Sequence, residues 1–143
     1  MSDCPVYKDA LTQHGIALRD ELITEGKVTP ASGAAAVSEL LARGERFTAL
    51  VASNDDMAIG AIKQLHESGV ATPDAVSVIG FDDVAIAPYI VPSLSSVRIP
   101  VTEMIQETIS RLIFMLDGGE FKYQQTFSGE LILRDSVTDG PHC

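Results

Sequence analysis

Cysteine is scarce in this chain. Of 143 residues only Cys4 and Cys143 carry thiols, one toward each end, and they read as two unpaired surface groups rather than a disulfide framework. No His/Cys cluster has zinc spacing, and His14, His66 and His142 are scattered, so neither a metal nor another cofactor is expected. Positive charge is also thin. Ten Lys and Arg face twenty Asp and Glu, a net charge of −10. Such a surface repels phosphate backbones and argues against DNA binding by these residues alone. No run approaches the ~18–20 apolar residues of a membrane span, and the opening segment lacks a signal-peptide core. A cytoplasmic protein with no membrane partner is the expectation.

What is present is globular: 45% hydrophobic and 21% charged residues, at a length suited to one ordinary domain. Helical and strand patterns alternate. Tyr7, Ala10 and Leu11 mark a first helix that stops at Gly15, and Leu22 to Thr24 reads as a short strand. Thr29-Pro30 is an N-cap with proline at the first helical position, and apolar spacing continues to Gly44. Phe47 to Ala52 is a continuous apolar run, predicting a strand buried on both faces. A helix follows from the Ser53-Asn54-Asp55-Asp56 cluster to Gly69, then a second buried strand, Val76 to Phe81, closed by Asp82-Asp83. A short strand at Ser96 to Ile99, a helix ending at Gly118-Gly119 and a final strand within Phe127 to Leu133 complete the pattern. The stretch from Gly118 to Gln125 is expected to be a hinge or surface loop. This order predicts an α/β fold, a parallel sheet flanked by helices.

In open parallel sheets ligands bind beyond the carboxyl ends of the strands. Two predicted strands end in polar residues there, one at Asn54, the single asparagine, and one at Asp82. An amide that donates and accepts, beside a carboxylate that accepts twice, suits the vicinal hydroxyls of a sugar. Asn54 or Asp55 capping a helix and Asp82 closing a turn is the plainer alternative. A metal-assisted hydrolase fits less well, because adjacent carboxylates on a strand point apart and no nucleophile–base pair or phosphate-binding motif is present. A binding module is favoured over an enzyme. The methionines Met57, Met104 and Met115 read as core filler.

Three blocks carry a more specific signal. Phe47-Thr48-Ala49 through Ser53-Asn54-Asp55-Asp56-Met57-Ala58-Ile59-Gly60-Ala61 resembles the "TA…ND.MA.GA" segment of the lactose/galactose repressor family. Gly69 through Pro73 to Gly80-Phe81-Asp82-Asp83 resembles its "G…P.D.S..GFDD" block, and Pro92 through Arg98-Ile99-Pro100 its "P.LTTVR.P" stretch. The blocks arrive in family order between about Tyr7 and Val137.

The resemblance implies a periplasmic-binding-protein-like lobe from the effector domain of a bacterial transcriptional repressor. Residues 1–6 depart from the family pattern and read as a non-native leader. Residues 7–98 would form an incomplete C-terminal lobe, and residues 99–143 a crossover helix to the other lobe and a final strand. By the same resemblance, Asn54 and Asp82 match residues that contact effector hydroxyls. Val28 stands where an aromatic often stacks on the ligand. Ile59 lies in a region that packs across the family's dimer interface. A sugar effector, of galactoside or β-glucoside type, and self-association are the implied partners, with operator DNA bound only through an N-terminal headpiece that the matched region lacks. A free-standing sugar-binding protein of periplasmic type is the alternative.

Overall fold

The computed structural model describes residues 5–120 and 124–139. Cys4, Cys143, His142 and the centre of the stretch from Gly118 to Gln125 lie outside the described residues. Among the described residues four α-helices and four strands follow one another as α1 (Pro5–Gln13), α2 (Pro30–Ala42), β1 (Ala49–Val51), α3 (Asp55–Glu67), β2 (Ser77–Asp82), β3 (Ser95–Arg98), α4 (Val101–Leu116) and β4 (Glu130–Ile132). The sheet order is β1-β2-β3-β4; β1, β2 and β3 run parallel, and β4 returns antiparallel to β3. The α/β expectation therefore holds, with one reversed strand.

Helix α2 begins where the sequence says it must. Thr29 and Ser32 form a capping box and Pro30 occupies the first turn, satisfying amides that no preceding turn can bond. Helix α3 starts at Asn54, whose side chain accepts the Met57 N–H at 3.1 Å, and two acidic residues in its first turn complement the helix dipole. The two helices pack at very close range. A Cβ on Gly33 would sit 2.1 Å from the Met57 carbonyl oxygen, and one on Gly60 1.8 Å from that of Pro30. The buried face of α3 (Ala58, Ala61, Ile62 and Leu65) meets Val37 of α2 together with Val76, Val78 and Leu94.

One strand expectation fails and another holds only in part. Leu22 to Thr24 is not a strand; Asp20–Leu22 is a 3₁₀ turn and Ile23, though extended, joins no ladder. The predicted strand from Phe47 to Ala52 shrinks to three residues and is not buried on both faces, since Val51 is 68% exposed. One physical cause covers both. β1 has a neighbour only on the β2 side, and an apolar groove of about 460 Å³ runs between its free edge and the Leu22 to Thr24 segment. Leu22 to Thr24 has no backbone partner and forms no ladder, whereas the run from Phe47 to Ala52 pairs with β2 through Ala49–Val51 and is left open on its other side. Among the described residues no helix is long and apolar enough to cross a membrane. The α4 helix follows its periodicity yet buries no residue.

Candidate functional site

The register Val51↔Ile79 aligns the carboxyl ends of β1 and β2. Asn54 lies three residues past one member of that pair and Asp82 three past the other, so the chain brings both to the same sheet edge. Asn54 is half-buried and Asp82 exposed. The plainer reading of Asn54 is realised, because its Oδ1 caps α3. Its side-chain amide nitrogen remains a donor of the kind a hydroxyl oxygen can use.

Asp82 occupies an unusual backbone position. Its φ is +112° and that of Asp83 is +54°, both in the region that disfavours residues with a Cβ. The two adjacent carboxylates have separate surroundings. Partial burial, followed by the negative charges of Asp55 and Asp56, pushes the Asp82 carboxyl above its ordinary value. Asp83 turns the other way. Burial alone would raise its carboxyl, but hydrogen bonds from Arg134 and Arg98 and their charges outweigh that and hold it below the usual range. Its Oδ1 accepts from Arg134 Nη2 at 2.6 Å and its Oδ2 from Arg98 Nε at 2.8 Å. The guanidinium groups cover it, leaving its side chain 6% exposed.

Val28 sits in the loop before α2, 61% exposed and at φ +58°, a strained setting for a β-branched residue. The same loop approaches the first turn of α3. A Cβ on Gly26 would lie 2.0 Å from the Met57 Cε, and Ser32 Oγ accepts from the Lys27 and Thr29 amides. The loop bearing Val28 thus borders the start of α3, but it carries no aromatic ring to stack on a ligand.

Sequence reasoning treated Asp55 as a possible cap and gave no role to Ser96, Arg98 or Arg134. Asp55 is fully buried and bonds away from its own helix, to Ser96 Oγ at 2.6 Å and Val84 N at 2.8 Å. Ser96 and the two arginines that cover Asp83 carry no local pattern in the sequence that marks these contacts.

The carboxyl edge of this α/β sheet thus offers one side-chain amide and one exposed carboxylate. A model of the periplasmic binding protein-like domain matches residues 5–137, and the chain belongs to that family. It is 73% identical over 131 residues to the HTH-type transcriptional regulator AscG of Escherichia coli (strain K12), and 38% identical over 133 residues to GalR of the same strain. Each match covers 92% of this chain but 39% of the relative's length. Among solved structures, a sugar-binding transcriptional regulator of the LacI family from Escherichia coli, complexed with phosphate, superposes with a TM-score of 0.86 at 73% identity. That match covers 92% of this chain and 47% of the other. A CelR–cellobiose complex gives 0.86 at 31% identity, covering 91% and 40%. The relatives are transcriptional regulators of the lactose/galactose repressor family rather than enzymes.

Proposed function

We propose that this chain is the C-terminal lobe of the effector-sensing region of a LacI-family transcriptional repressor, acting in the cytoplasm. Asn54 and Asp82 contact effector hydroxyls, Val28 borders the ligand without stacking on it, and operator DNA is engaged by parts of such regulators beyond the matched span. The observation that carries this reading is that Asn54 and Asp82 each lie three residues past the pair Val51↔Ile79, at the carboxyl edge of the sheet. The relatives favour a regulator over a free-standing sugar-binding protein, and the cellobiose in one structural neighbour supports a glycoside as effector. In the whole regulator, effector binding would bias the relation of two lobes and thereby change DNA affinity.

One lobe leaves a sugar open to water. Each exposed hydrogen bond then gains only about 0.5–1.5 kcal/mol, too little to offset the entropy of association tightly. NMR titration of this chain with methyl β-D-galactoside, methyl β-D-glucoside and cellobiose tests the reading. Millimolar binding, with shifts centred on Asn54 and Asp82, is expected for at least one of them. Micromolar affinity, shifts centred elsewhere, or no response up to molar glycoside would overturn it.

A further inference from the structure

Asp55 has no role in the cleft just described, yet it is fully buried and both its oxygens are committed. Oδ2 accepts the Val84 N–H, and Oδ1 accepts the Ser96 hydroxyl. Ser96 Oγ in turn accepts the Asp83 N–H at 3.0 Å. The two amides that follow Asp82 are therefore both tied to one carboxylate, one directly and one through a serine. Between them they span the turn whose two aspartates have positive φ, a conformation that persists only where surrounding bonds over-determine it. Strand β2 is shaped to admit this carboxylate, since a Cβ on Gly80 would stand 2.1 Å from Asp55 Oδ1.

We infer that Asp55 is a positioning residue which, through Ser96 and the Val84 amide, holds the turn at 82–84 so that the Asp82 carboxylate faces the cleft. The inference rests on the reading of Asp82 as an effector contact. The division of labour between neighbours follows: Asn54 caps α3, Asp55 braces the adjacent strand's turn, and Asp82 is left for the ligand. The closeness this requires is consistent with the upward push that the Asp55 charge, after partial burial, exerts on Asp82.

Ser96→Ala removes the relay while leaving Asp55 and its bond to Val84 in place, and Ser96→Thr keeps the hydroxyl. Amide exchange at Asp83, the ¹³C carboxyl titration of Asp82 and the glycoside-induced shift at Asp82 are read by NMR in this chain. In Ser96→Ala, exchange at Asp83 should quicken roughly tenfold, as for loss of about one hydrogen bond. The Asp82 titration should fall back toward an ordinary carboxylate, the glycoside shift should shrink, and Ser96→Thr should restore all three. Asp55→Asn should also quicken exchange at Val84. If Asp55→Asn does not fold, the serine pair decides alone. A folded Ser96→Ala variant with unchanged Asp82 titration overturns the inference, even if exchange at Asp83 rises, because the bond is then only structural. If the parent chain shows no glycoside response, the effector reading fails, and the Asp82 titration still decides whether Asp55 and Ser96 set its position.

Discussion

Asp82 and Asp83 are neighbours in sequence with opposite electrostatics, and the difference lies in their partners. Asp83 is covered by two guanidinium groups from the segments on either side of α4, Arg98 at the end of β3 and Arg134 after β4. Its folded-state carboxyl titrates below the ordinary value, so its contribution to stability is complete above the unfolded carboxylate range and is lost as pH falls through the folded value. Asp82 has the opposite sign. Its raised carboxyl favours the fold when protonated, and that contribution disappears as pH rises through its folded value. Asp83→Asn should cost about 2–3 kcal/mol at neutral pH, the scale of losing charge-assisted hydrogen bonds where only one cation is well covered. Urea melts of both proteins should differ most at neutral pH and converge below the carboxylate range. A gap independent of pH would refute the ionic account.

At the scale of elements, α2 and α3 approach to backbone contact, and glycine makes this possible. Gly60 is buried in the middle of α3, where alanine would raise intrinsic helix propensity by about 1 kcal/mol. Packing reverses that gain, because the added methyl carbon would meet the Pro30 carbonyl at 1.8 Å, a rigid backbone atom in the first turn of α2. Gly60→Ala should therefore destabilise by a net ~2 kcal/mol or more as the helices are forced apart. Thermal melts followed by circular dichroism measure this, and an unchanged or higher midpoint would show that the helices can separate freely. The sequence pattern correctly placed both helices from their caps and spacing. It could not show that Gly33, in the first turn of α2, and Gly60, in the middle of α3, mark their contact.

At the scale of the whole molecule, the free edge of β1 and the bare face of α4 dominate. Ile105, Ile109, Leu112 and Ile113 are each more than half exposed, as is Val51 on the edge strand. Unpaired strand edges and apolar helix faces recruit other chains. The chain should form dimers or larger species in light scattering, and Val51→Lys, which puts a charge on the open edge, should shift the population toward monomer. A parent chain that stays monomeric over a wide concentration range would contradict this.

The sequence by itself determined the parts whose signal is local. Thr29-Pro30, the apolar spacing of α3 and the β2 run each specify an element through contacts within a few residues, and the polar strand ends placed Asn54 and Asp82 at one edge once a parallel sheet was inferred. Only the tertiary structure decided what depends on a distant partner. Leu22 to Thr24 has strand-like residues but no second backbone to pair with, and the apolar run Phe47 to Ala52 pairs on the β2 side alone, its other side open to the groove. The partners of Asp55 and Asp83 were equally hidden, because carboxylates alike in sequence acquire different bonds from a serine and two arginines that the fold brings from 15 to 51 residues away.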